Sequence, residues 1–130
     1  AAHECAHQLG LAREDECNFA AYLACMASGD AASQYSGVLL ALIHCGNALA
    51  GKDSAAYTAL VESYSPAIAR DLARYHAYWR AHEGKAKEIA NAANDNYLKA
   101  HGQDDGVASY GRMVDLMLAA FEDSRFSSFF

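Results

Sequence analysis

The sequence predicts an all-α fold, a compact bundle of about six to seven helices with short connections. Three observations carry this. Hydrophobic residues make up 53% of the 130-residue chain, and many are alanine, the strongest helix former. A single proline, Pro66, leaves long helices uninterrupted, while Val, Ile and Thr are too sparse for an extensive sheet. Apolar residues recur three and four apart along most segments, and no alternating run is long enough to read as a strand.

Each helix has its own start and stop signals. The first carries His3 and His7 and ends at Gly10, a residue suited to a left-handed C′ position. The second starts near Arg13, has Phe19, Leu23 and Met26 on one line, and stops at Gly29-Asp30. Asp30 or Ser33 caps a third helix running to about Ala50, with Leu39, Leu42, Ile43 and Leu49 expected inward. Asp53 is the N-cap of a short helix bearing Tyr57, Leu60, Val61 and Tyr64. Ser65-Pro66 opens the next, where a proline's missing N–H does no harm, and Ile68, Leu72, Tyr75 and Trp79 form its expected core stripe. A more polar helix follows over roughly Lys85 to Ala100, then a turn at Gln103 to Gly106. The last helix has Val107, Tyr110, Val114, Met117 and Phe121 at helical spacing. Residues 1–122 are therefore expected to form one helical domain, truncated at its N-terminus, with 123–130 a flexible tail.

The net charge of −6 comes without a Lys/Arg cluster, which argues against nucleic acid or a polybasic membrane contact. Four cysteines, Cys5, Cys17, Cys25 and Cys45, fall in apolar helical patterns and read as buried thiols, not a disulfide framework. The apolar run from Val38 to Ile43 is broken by His44 and Gly46, so a soluble segment is expected. The chain opens two residues before His3 with no initiator Met, and is read as a piece of a longer protein.

The chemistry concentrates in the first nineteen residues. His3-Glu4-Cys5-Ala6-His7 is an H-E-x-x-H pattern. On a helix, residues four apart share a face, so two imidazoles can share one metal ion while Glu4, one step round, reaches water as a general base. A catalytic Zn²⁺ site needs three protein ligands and an open position. Glu14 and Glu16, just past the Gly10 turn, are the candidates for the third. Glu14 is favoured: it has Asn18 one turn on, able to hydrogen-bond a ligand, whereas Glu16 lies about 200° away. Glu16 is then left to orient a ligand or to face solvent. Asp15 fits a solvated carboxylate at a helix N-terminus. Tyr35, Tyr97 and Tyr110 are candidate oxyanion or substrate contacts, each set against an ordinary half-buried role.

These residues suggest a family. The stretch from His3 to Gly10, followed by Arg13-Glu14-Asp15-Glu16-Cys17-Asn18-Phe19, resembles the DUF3810 proteins of bacteria, with their H-E-x-A-H and E-x-E-A-N-F blocks. Tyr35-Ser36-Gly37, Asp71-Leu72, Tyr78-Trp79, Asn94 to Lys99 and Ser109-Tyr110-Gly111 are similar to later blocks in the same order. Cys17 stands where that pattern has Ala. The resemblance implies a zinc-dependent, gluzincin-like peptidase domain acting on a peptide or protein substrate, membrane-associated through segments outside this chain. It also implies His3, His7 and Glu14 as ligands and Asn18 as a supporting partner. The alternative is a non-catalytic helical scaffold, interaction or sensor domain built on the same fold.

Overall fold

The computed structural model describes residues 1–82 and 110–130. Among them every regular element is a helix. The order is α1 (Ala2–Gln8), α2 (Glu14–Ala27), α3 (Ala31–Lys52), α4 (Ser54–Glu62), α5 (66–82), α6 (Tyr110–Glu122) and a terminal 3₁₀ helix (Ser124–Phe129). The expected polar helix over Lys85 to Ala100 and the turn at Gln103 to Gly106 lie outside the described residues. The described chain falls into two compact units, one of Ala1–Lys52 with 110–130, the other of 53–82. No helix is long and apolar enough to cross a membrane among the described residues.

In the first unit α2 is the central element, packed against α1, α3, α6 and the 3₁₀ helix. Its first turn carries Glu14, Asp15 and Glu16, whose charges complement the helix dipole. The core gathers Tyr22, Ala41, Met113 and Met117, with Phe19, Leu23, Met26, Leu40 and Cys45 packed on it. Asp30 caps α3 by accepting from both the backbone N–H and the hydroxyl of Ser33, each at 2.8 Å. Those bonds hold its carboxyl below the usual range.

Four expectations are corrected by the packing. On α3 the buried line is Gly37, Ala41 and Gly46, while Leu39, Leu42, Ile43 and Leu49 are only half-buried. Small residues take the inner face because α2 and α3 approach closely. A Cβ at Gly37 would stand 2.7 Å from Cys25 Cβ. On α6 the buried face is Met113, Met117 and Ala120, and Phe121 is 68% exposed, so the expected stripe is rotated by about one residue. The expected tail instead forms the 3₁₀ helix: Tyr22 donates its hydroxyl to the Phe129 carbonyl at 2.7 Å, and the Phe130 ring meets Phe121 at 5.4 Å. Finally, the four cysteines are free thiols, but Cys5 is exposed.

In the second unit, Asp53 accepts from the Ala56 N–H at 2.9 Å and Ser65 Oγ from Ile68 N–H at 3.3 Å, the two expected caps. Ile68 and Leu72 are half-buried. Tyr75 and Trp79, expected in the core, are 37% and 49% exposed. They form an edge-on ring pair at 6.1 Å on the open side of α5.

The close α2–α3 contact is checked by paired substitutions. Gly37→Ala should lower stability by about 1–3 kcal/mol through overpacking. Gly51→Ala, where an added Cβ meets open space, should be neutral or stabilising. Thermal melts that show a higher Tm for Gly37→Ala would contradict the packing.

Candidate metal centre

The centre is built on the α1–turn–α2 hairpin. Helix α1 ends in a Schellman arrangement: Leu11 N–H donates to Ala6 O at 3.1 Å and Gly10 N–H to His7 O at 3.0 Å. Gly10 supplies the required positive φ, at 100°. The turn does more than reverse the chain. It delivers the Leu11 carbonyl to His7, whose Nδ1 lies 2.9 Å away. A carbonyl oxygen only accepts, so the Nδ1 hydrogen is fixed there and Nε2 is the ring nitrogen left to face the centre.

His3 is oriented in the same sense. Its Nδ1 lies 2.8 Å from Asn18 Oδ1 on α2. That leaves its Nε2 turned inward, 3.1 Å from His7 Nε2. The Glu14 carboxylate closes the group, with Oε2 at 3.1 Å from His3 Nε2 and Oε1 at 3.4 Å from His7 Nε2. His3, His7 and Glu14 are thus a group able to hold a metal ion.

The spacing can be tested against a metal. Four ligands placed tetrahedrally at the usual Zn–N and Zn–O distances are separated by about 3.3–3.4 Å. The two imidazole nitrogens stand 3.1 Å apart, near that figure, and each faces its own oxygen of the Glu14 carboxylate, at 3.1 and 3.4 Å. The donor set, two imidazoles and one carboxylate, is one that zinc accepts at sites with an open fourth position. The two Nδ1 contacts, to Asn18 and to a backbone carbonyl, are the orienting bonds that metal-binding histidines need.

The other candidates are placed as follows. Glu4 is exposed on α1. Glu16 turns to Arg13, whose Nε is 3.8 Å from its Oε1, and does not join the three ligands. Asp15, expected in solvent, is buried at 4% exposure and accepts from Arg13 Nε at 3.3 Å and Nη2 at 3.4 Å. This pair fixes the turn leading into Glu14. Asn18 supports His3, not Glu14. Tyr35 is 44% exposed, near Gly37, which packs on Tyr22, Cys25 and Met26. Cys25 lies about 16 Å along α2 from Glu14, so Tyr35 is not brought to the centre. Tyr97 and the Tyr110 side chain lie outside the described residues. His44 sits half-buried on α3, and burial lowers its pKa.

Two participants were not singled out by sequence reasoning, the Leu11 carbonyl and the Arg13–Asp15 pair. The first could be read from the Gly10 signal, because a Schellman turn fixes where the C″ carbonyl goes. Cys17 completes the floor. It is fully buried, with Sγ 3.3 Å from His7 Nδ1 and 3.4 Å from Leu11 O. Burial first, then the carboxylates of Glu14, Glu16, Asp15 and Glu4, push its thiol above the ordinary value. It is a neutral thiol beneath the site.

A family model described as "Protein of unknown function (DUF3810)" matches residues 1–118, and the chain belongs to that family. No curated protein and no solved structure matches the chain.

The orienting bond to His3 gives a direct test. Asn18→Ala should weaken zinc binding by about 10- to 100-fold, as loss of such partners typically does, while the far-UV spectrum stays helical. Calorimetric titration with unchanged affinity would show that Asn18 does not orient the ligand.

Proposed function

We propose that this member of the DUF3810 family carries the catalytic centre of a zinc metallopeptidase with a zincin-like helical core. His3, His7 and Glu14 hold Zn²⁺, and Glu4 is the general base. The observation that carries the reading is the convergence of His3, His7 and Glu14, whose ligand atoms lie within 4.8 Å of one another, on an H-E-x-x-H helix and the helix that follows it. Zinc bound there supplies a Lewis acid that polarises a carbonyl and lowers the pKa of water to about 7.

The chain's own groups supply the rest. Glu4 is exposed on the ligand helix, where it can accept a proton from water and pass it to the departing amine nitrogen. Its carboxylate belongs to the same electrostatic neighbourhood as Glu14, since both act on Cys17. Asn18 and the Leu11 carbonyl keep the imidazoles aimed, and Arg13–Asp15 keeps Glu14 at the head of α2. The substrate class is a peptide or protein. We place membrane attachment of the parent protein outside these helices, since none of those described is long and apolar enough to cross a bilayer.

The test separates metal from chemistry. Wild-type protein and Glu4→Gln should each bind one zinc, while hydrolysis of a peptide library by Glu4→Gln falls by about 10²- to 10⁴-fold. Full activity in Glu4→Gln would sink the mechanism. Glu14→Ala should lose zinc by elemental analysis. Stoichiometric zinc without hydrolysis by the wild type would favour the non-catalytic scaffold or sensor reading.

A further inference from the structure

The two groups that orient the imidazoles are anchored differently. Asn18, which faces His3, sits on α2 itself. The group that faces His7 is the Leu11 carbonyl, and residues 11–13 belong to no regular element. The Leu11 N–H is tied to Ala6 O at 3.1 Å. That bond leaves the following peptide, which contains the Leu11 carbonyl, free to turn about the soft dihedrals on either side of it. A carbonyl that turns cannot aim a ring, so it needs an anchor other than the ring.

Cys17 is placed to be that anchor. On α2 it comes three residues after Glu14 and one before Asn18, so the three lie on neighbouring positions of the side that meets the histidines. It is fully buried and is a free thiol, with a hydrogen to donate. Its Sγ donates to Leu11 O at 3.4 Å and lies 3.3 Å from His7 Nδ1, while His7 Nδ1 lies 2.9 Å from the same oxygen. The three atoms close on one another. A carbonyl oxygen has two lone pairs, so it takes the thiol and the ring edge together. A buried cysteine usually acts as a small apolar side chain, but this sulfur is bonded to the group that orients a ligand.

We propose that Cys17 is a positioning residue, whose thiol pins the Leu11 carbonyl to the packed body of α2 and through that carbonyl sets the aim of His7. It is neither a ligand nor a substrate contact. With it in place, both imidazoles take their direction from the helix that carries Glu14, His3 through Asn18 and His7 through Cys17 and Leu11. The proposal rests on the metal-binding half of the proposed function and is independent of hydrolysis.

Calorimetric zinc titration of the full chain tests it, with Cys17→Ala, Cys17→Ser and Cys45→Ala compared with the wild type. Cys17→Ala removes the donor and should weaken zinc binding by about 10-fold, the lower end of the loss for partners beyond the ligands, because it acts through the carbonyl. Cys17→Ser keeps a donor in nearly the same volume and should bring affinity back to within about 3-fold of the wild type. Cys45→Ala removes a thiol from the core around Tyr22 and should leave zinc affinity unchanged. In the zinc-loaded proteins the ring-nitrogen NMR resonances of His7 should shift in Cys17→Ala while those of His3 stay, a pattern that a general loss of packing does not produce. Unchanged affinity in Cys17→Ala, or an equal loss in Cys17→Ala and Cys17→Ser, would overturn the proposal and leave the metal site standing. Absence of zinc binding by the wild type would overturn both. The expected pattern in a protein that hydrolyses no peptide would support the positioning role and count against the peptidase reading alone.

Discussion

Two imidazole nitrogens and the Glu14 carboxylate face one another at 3.1–3.4 Å, an arrangement that a shared positive charge stabilises. That constraint explains why this chain spends so much local structure on so few atoms. Asn18 and the Leu11 carbonyl each hold the Nδ1 edge of one imidazole so that its Nε2 edge points inward. The Gly10 turn exists to place that carbonyl, and the buried Arg13–Asp15 pair fixes the start of the helix that brings Glu14 in. None of these features adds much apolar burial. Their common product is the aim of two nitrogens and a carboxylate.

The remainder of the first unit serves as a rigid mount. α2 carries Glu14 and Asn18 at its head, while its body is clamped by α3 through the small residues Gly37 and Ala41 and by α6 through Met113 and Met117. The chain end adds a distant tie, with Tyr22 bonded to the Phe129 carbonyl. A ligand on a well-packed helix is held more precisely than one on a loop. The two histidines sit on α1, which packs on the head of α2 through Ala6, so the centre joins two adjacent helices.

Much of this was legible in the sequence. Caps at Asp30, Asp53 and Ser65 and the left-handed Gly10 follow from local chemistry that tertiary contacts did not override. Helical angle favours Glu14 over Glu16 as a ligand, and Glu14 is the one that lies with the two histidines. Burial faces were read less well. Phe121 and Trp79 look like core by size and spacing, but Met113, Ala120 and Gly37 fill the contacts, because the distance between helix axes is a tertiary property. Asp15 was misplaced for a similar reason: its burial depends on Arg13 folding back over the turn, which no periodicity records. Tyr35 lies two residues from Gly37, which packs on the part of α2 around Tyr22 to Met26, not on its head at Glu14.

X-ray absorption at the zinc edge of the loaded chain measures the centre most directly. The account predicts two imidazole nitrogens and one carboxylate oxygen at about 2.0–2.2 Å, with the fourth position filled by a light oxygen donor. A sulfur scatterer at about 2.3 Å, drawing Cys17 into the shell, or a shell of water oxygens without imidazole, would contradict it.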